Sequence, residues 1–330
     1  MDVTAQRRDS SPVEYEVARD FRLYWSNLKN YEECPQKFLW GRGWADLDVG
    51  GGLGRKKPKP VKKSEHHAVM GIVIQSVVET FYNDELWRHP EGLQKRLTKM
   101  VEVVLAQQIA KKYIYWRWAE SEAEMFDICT SGVIGYLRTM KHHKFLGPFA
   151  RSEVHVPGSI DKWNPVGGYL DMIIRRDDTG VTILDGKNAK TKNQYVDPDQ
   201  LRFYALCFYL AYHKMPDRLA FVWYRYPYDG AEETGIEWVP FTKEDLQRLA
   251  RRAKDTRTLM NKHKFEATPS SKACKWCDYE TVCPERQQMR EDNPRSKKQI
   301  SLPIVDDATG FVEFGLNSPV HVESKSGSKP

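Results

Sequence analysis

No apolar run in this chain approaches the roughly 20 residues that a membrane-crossing helix needs, which excludes a helical span. The opening stretch, MDVTAQRRDSSPVEYE, is polar and lacks the apolar core of a secretory signal. The expectation is therefore a cytoplasmic protein. No internal repeat is evident, which argues against a solenoid or propeller. Cysteine is scarce, six in 330 residues, too few for a small disulfide-stapled fold. A disordered chain is excluded by the opposite observation: 40% of the residues are hydrophobic and 12% aromatic, enough to build one large core or two modest ones.

The six cysteines divide by context. Cys129 in MFDICTSGVIGYL and Cys207 in LRFYALCFYLAY sit in apolar helical patterns and read as small core residues. Three others crowd the stretch CKWCDYETVC, with Cys274, Cys277 and Cys283 at the spacing C-x2-C-x5-C. In a reducing compartment, clustered cysteines are more often metal ligands or catalysts than disulfide partners. A tetrahedral thiolate site needs four ligands, so the cluster is one short. The net charge of +6 is concentrated in RKKPKPVKK (55–63) and RRAKDTR (251–257). Such runs suit a phosphate backbone, and equally a solvated face.

Apolar periodicity predicts helices over 24–42, with Ser26 as N-cap, over 68–82, about 92–115 and 121–143. Residues 1–20 read as a flexible N-terminus, 47–65 as a flexible basic loop, and 291–330 as a disordered tail. Strands are expected at 152–156, 167–176 and 180–187, then at 218–226 and 234–240. Helices are expected from Pro198 to about His213 and over 242–263. Helices followed by a sheet with an inserted helix indicate a mixed α/β or α+β domain.

The segment GGYLDMIIRRDDTGVTILDGKNAK reads as a hairpin that carries acids on an otherwise apolar pair of strands. A loop of Asp178 to Gly180, with a left-handed glycine, would pair Asp171 with Lys187 and make Asp171 and Asp185 diagonal neighbours. Buried carboxylates are costly unless paired or metal-bound. Mg²⁺ prefers one or two carboxylates with phosphate oxygens and water, and a lysine beside it can stabilise developing phosphoryl charge. A plain Asp–Lys ion pair at a sheet end accounts for the same residues.

The order of G-x-x-D (Gly168 to Asp171), D-x-K (Asp185 to Lys187) and Q-x-x-x-Y (Gln200 to Tyr204) resembles the RecB-like branch of the PD-(D/E)XK nuclease superfamily. S-x-L-x-x-Y-x-x-C-P (Ser26 to Pro35), with C-x2-C-x5-C-P (Cys274 to Pro284), resembles that branch's iron–sulfur members, which include CRISPR-associated RecB-like exonucleases and related phage proteins. The resemblance implies a restriction-endonuclease-like core, a central mixed sheet flanked by helices, spanning 21–290. It implies that Cys34 is the fourth thiolate, and that Cys34, Cys274, Cys277 and Cys283 hold a [4Fe–4S] cluster joining the two ends of the domain. The same four cysteines would suit zinc.

The resemblance also implies Asp171 and Asp185 as ligands of Mg²⁺ or Mn²⁺, with Lys187, Gln200 and Tyr204 completing the catalytic set. Gln200 has a second use, since Asp197-Pro198-Asp199-Gln200 reads as a capping box. Tyr204 equally suits a core aromatic. One position departs from the family. A histidine four residues after the first-helix glycine Gly71 is usual, but here that position is Gln75, which the resemblance implies as the third metal ligand with a carbonyl poorer than imidazole. The implied activity is a metal-dependent DNA exonuclease on single strands or ends, with recombination or CRISPR-adaptation proteins as partners. A non-catalytic DNA-binding or assembly module of the same fold is the alternative.

Overall fold

The β-branched and aromatic runs form strands whose alternate residues feed two separate cores. A computed structural model describes residues 21–43, 64–111, 114–115, 121–189, 192, 196–230, 235–262 and 264–292. The expected loose N-terminus, most of the 47–65 loop and nearly all of the 291–330 tail lie outside these residues. The described residues up to Arg286 belong to one compact unit, and Gln287–Asp292 to a second.

Six strands among the described residues form one mixed sheet. They are β1 (Leu23–Tyr24), β4 (Ala150–Ser159), β5 (Pro165–Arg176), β6 (Gly180–Lys187), β7 (Arg218–Trp223) and β8 (Ile236–Trp238); β2 (Ser64–Glu65) and β3 (Ile114–Tyr115) pair separately. β4, β5 and β6 form an antiparallel meander, β7 runs parallel to β6, and β8 closes that edge antiparallel. β1 lies parallel to β5 through Leu23–Val166 and Tyr24–Gly167.

The α-helices among the described residues are α1 (Trp25–Glu33), α2 (Pro35–Phe38), α3 (His66–Asn83), α4 (Leu93–Lys111), α5 (Glu122–His142), α6 (Pro198–Tyr212), α7 (Lys243–Asn261), α8 (Ser271–Lys275) and α9 (Pro284–Asp292). Strand alternation sends Ile173, Ile183 and Phe221 to one face, packed with residues of α1, α6 and α7. Met172, Ile174, Leu184 and Val222 go to the other, packed with α3, α4 and α5. Cys207 and Cys129 are fully buried in these two cores, as their patterns indicate.

Several local expectations are corrected. The first helix begins at Trp25 with Tyr24 as N-cap and no side-chain cap bond, so Ser26 does not cap it. It also breaks at Cys34, which is extended (φ −164°, ψ 110°), because the ring of Pro35 disfavours helical backbone at the residue before it. Asp197 does cap α6, accepting from the Asp199 N–H, but Gln200 takes no part in a box; its side chain is used elsewhere.

The hairpin register is shifted by two residues from the expected one. Arg176 pairs with Gly180 and Met172 with Leu184, leaving Asp177–Thr179 as the loop. Gly180 does adopt the left-handed region (φ 69°) but closes the ladder rather than lying in the loop. Asp171 is thereby brought level with Asp185 instead of Lys187.

Candidate active site

The site occupies a fork between two strands. β5 and β6 stop pairing at Met172–Leu184, and β6 continues only against β7, with Asp185 beside Phe221 and Lys187 beside Trp223. β1 rejoins the same edge of β5 at Val166 and Gly167. Residues 168–171 therefore lie between two strand partners on that edge, and side chains fill the opening. The Gly186 N–H, released from the ladder, donates to Asp171 Oδ2 at 2.8 Å.

The two motif glycines have specific reasons here. A Cβ on Gly186 would stand 1.8 Å from the Tyr224 hydroxyl oxygen, so only glycine fits between Asp185 and Lys187. A Cβ on Gly168 would sit 3.0 Å from the Tyr204 ring, too close for an unmoved aromatic.

Asp185 is 2% exposed and pairs with the Lys187 ammonium. Gln200, one turn into α6, links the set. Its Nε2 donates to Asp185 Oδ1 (3.0 Å) and to the Tyr204 hydroxyl (3.0 Å), while its Oε1 accepts from Lys187 Nζ (2.8 Å). Lys187 also lies 5.2 Å from the centre of the Phe221 ring. The separation of Gln200 and Tyr204 by four residues puts both on one helix face. Asp185 Oδ2 receives no well-angled hydrogen bond and is faced only by the lysine charge.

Burial and like charge dominate the electrostatics of the fork. Burial, then the charge of Asp185, pushes the Asp171 carboxyl well above the usual carboxylate range, although the Gly186 N–H and Lys187 pull the other way. The Tyr204 hydroxyl is likewise pushed up by burial and by Asp185.

Two further groups complete the surroundings, and sequence reasoning missed both. Tyr224, just past β7, donates its hydroxyl to Gln75 Oε1 (2.6 Å), and Gln75 Nε2 donates to Glu153 Oε1 (2.8 Å). Gln75 thus faces the fork through Glu153, with its carbonyl oxygen already accepting from tyrosine. Glu153 stands across from Asp171 at the point where the β4–β5 ladder skips one pair, and its φ is 49°. Burial raises its pKa, and the charges of Glu79 and Asp185 add to that rise against the Gln75 bond. In SEVHV this glutamate looks like an outward polar residue of an alternating strand. Tyr224 is hidden in an apolar run, and its partner Gln75 is 149 residues away.

The second candidate centre is the cysteine cavity. Cys34, Cys274, Cys277 and Cys283 line one pocket together with Trp40 and Tyr279. Tyr279 anchors it, donating to the Trp40 carbonyl at 2.8 Å. Burial raises the Cys277 thiol, with Cys34 and Cys274 adding to the rise, and burial pushes Cys283 up to about 11. Among the described residues, no three His, Cys, Asp or Glu side chains converge tightly enough to hold a metal ion as they stand, here or at the fork.

The two basic runs fare differently. Residues 55–63 lie outside the described residues. On α7, Arg252 grips Glu32 through two 2.5 Å bonds and reaches Asp199 at 3.2 Å, Lys254 pairs with Asp161 at 2.9 Å, and buried Arg257 donates to the Phe21 carbonyl. These cations tie α7 to its neighbours instead of lining a phosphate track. No helix among the described residues is long and apolar enough to cross a membrane.

A family model of the PD-(D/E)XK nuclease superfamily matches residues 23–284. Among solved structures, one titled "Crystal structure of SSO0001" is similar at 15% identity, covering 72% of this chain and 92% of its own, with a TM-score of 0.30. No curated protein matches the chain.

Proposed function

Because the chain belongs to the PD-(D/E)XK nuclease superfamily over residues 23–284, we propose that it is a metal-dependent deoxyribonuclease of the RecB-like iron–sulfur branch. Its nuclease domain spans 21–290, and it acts as an exonuclease on single strands or DNA ends in recombination, repair or CRISPR adaptation. The observation that carries this reading is the hydrogen-bonded chain Asp185–Gln200–Lys187, closed by Tyr204 and set opposite Asp171 across the strand fork.

The donor set fits a hard divalent cation: two carboxylates on neighbouring strands, Asp185 with one oxygen faced by the Lys187 ammonium and Asp171 with a pKa raised by burial and by the charge of Asp185. Asp171 and Asp185 would hold Mg²⁺ or Mn²⁺, which supplies Lewis-acid stabilisation of the phosphoryl oxygens. Lys187, held by Gln200 and Asp185, presents an ammonium to the attacking water or to the charge that develops at phosphorus. Gln200 fixes the orientation of both Asp185 and Lys187, and Tyr204 fixes Gln200. Gln75 acts on this centre through Glu153.

The cysteine cavity fits a thiolate-ligated centre. Four thiols line one pocket, and three come from a ten-residue stretch while the fourth follows α1. Cys34, Cys274, Cys277 and Cys283 would hold a [4Fe–4S] cluster that ties the start of the domain to its end. Protein purified without oxygen should be brown and contain iron and acid-labile sulfide. One zinc per colourless chain would replace that assignment.

The direct test of activity is end-labelled single-stranded DNA with and without Mg²⁺ or Mn²⁺. Metal-dependent shortening is expected. Its absence on every DNA end would favour the second reading, a non-catalytic DNA-binding or assembly module. The observation favouring that module is the Gln75 carbonyl, spent on Tyr224 where the family usually has a histidine.

A further inference from the structure

Two residues along the strands from the acidic centre, three rings form a ledge that the chemistry above does not use. Tyr169 precedes Asp171 on β5, and His155 follows Glu153 on β4; the two are cross-strand partners, with rings stacked at 4.6 Å between centroids and 24° between planes. Tyr24, at the end of β1, stacks on Tyr169 at 5.6 Å and 17°, and its hydroxyl lies 3.2 Å from His155 Nε2. Tyr169 is 54% exposed, a large outlay of aromatic surface for a strand residue whose neighbours Gly168 and Leu170 are buried.

The ledge is rigid. β1 and the ends of β4 and β5 are clamped by Arg22, which donates to the Gly158 carbonyl (2.8 Å) and the Val166 carbonyl (2.7 Å). Gly167 permits the arrangement, since a Cβ there would lie 2.6 Å from the Arg22 side chain and 3.1 Å from the Tyr24 ring. The ledge is also continuous with the site: Tyr24 and Tyr169 line the same cleft as Gln200 and Tyr204. At the rise of a strand, two residues place Tyr169 about 7 Å from Asp171, close to the spacing of neighbouring nucleotides.

We propose that Tyr169, backed by Tyr24 and His155, is a stacking platform for an unpaired base next to the phosphodiester held at the fork. The proposal rests on the nuclease reading and narrows its substrate to nucleic acid with an exposed base face, that is, a single strand or a frayed end. Every base offers such a face, so the platform is indifferent to sequence. It also disfavours intact duplex, whose bases already stack on each other.

The test separates this proposal from the reading beneath it. Binding is measured in chelator, so no cleavage intervenes, with three probes of equal length: a single strand, an abasic single strand with the same phosphates, and a blunt duplex. Tyr169→Ala should weaken binding of the normal single strand by about tenfold or more, from the usual cost of losing one stacked base. Tyr169→Phe should bind like the wild type, because the ring and not the hydroxyl is used. The wild type should treat the abasic strand much as Tyr169→Ala treats the normal one, and duplex binding should be unchanged by either substitution.

A 2-aminopurine near the strand end should be quenched by the wild type and by Tyr169→Phe, but not by Tyr169→Ala. Equal binding of normal and abasic strands by the wild type, or full affinity and quenching in Tyr169→Ala, would overturn the platform while leaving the nuclease reading intact. Failure of the wild type to bind or cleave any nucleic acid would remove both.

Discussion

The strand fork and the cysteine cavity solve opposite problems. At the fork, residues from one short stretch of chain, Asp171 to Tyr204, hold one another by hydrogen bonds and still leave negative charge unbalanced. At the cavity, residues more than two hundred positions apart are brought together, and the thiols find no comparable bonds among themselves. The fork is organised by the protein, with Lys187 as the cation set against two carboxylates. The cavity is lined by thiols from both ends of the domain. Charge removed from the first should cost chemistry, and a ligand removed from the second should cost the fold.

The sharpest separation is expected from Asp185→Asn. Asparagine keeps the shape and an acceptor for Gln200, so the fold should survive, while metal-dependent cleavage should drop at least about a hundredfold. A variant cleaving at the wild-type rate would dissolve the contrast between the regions. Cys277→Ala should do the reverse, lowering stability by roughly 2–5 kcal/mol through loss of a long-range closure. Iron content, sulfide content and soluble yield read this out. An equally stable Cys277→Ala protein would show that the cavity staples nothing.

The next effect is a pH dependence confined to the fork. The Asp171 carboxyl has a folded pKa above its ordinary 3.8, so its contribution to stability is fully present below that value and is lost as pH rises through the folded pKa. Glu153 has the same sign. In chelator, the melting temperature should therefore fall as pH rises from acid toward neutral, and Asp171→Asn should flatten the fall. Mn²⁺ added at neutral pH should restore the loss in the wild type but not in the variant. A wild-type slope unaffected by the substitution would show that Asp171 does not set it.

The smallest effect belongs to neither region. Arg252→Ala breaks the grip on Glu32 and Asp199 and removes a guanidinium 5.3 Å from the Trp25 ring. It should cost about 1 kcal/mol on thermal unfolding and leave single-strand affinity unchanged. A marked loss of affinity would return that helix to the nucleic-acid surface.

What the sequence made legible follows the reach of each interaction. Strand alternation put Asp171, Asp185 and Lys187 on one hairpin face and the helix period put Gln200 and Tyr204 on one helix face, while their union in one site was implied by the family resemblance. The break at Cys34 was missed although its signal is local, since the Pro35 ring dictates it from the next position. The two-residue slide of the hairpin was not legible, since both registers offer a left-handed glycine and preserve the same alternation. Glu153 and Tyr224 depend on partners in distant elements and carry no local pattern. The basic run on α7 stayed open for a similar reason: its acids come from α1, α6 and the turn after β4, none of them near it in the chain.

The left-handed backbone at Glu153 has a thermodynamic consequence of its own. A side-chain-bearing residue held at φ 49° carries strain of about 1 kcal/mol or more that glycine would not. Strain kept at such a place is a reserve the native fold supports from elsewhere. Replacement by glycine should return part of it, so Glu153→Gly should unfold at a higher temperature than Glu153→Ala, by up to about 1 kcal/mol in stability. Both would have lost the same carboxylate and differ only in what the backbone is asked to bear. Keeping glutamate there sets the placing of a carboxylate beside the fork against the ease of the backbone that carries it.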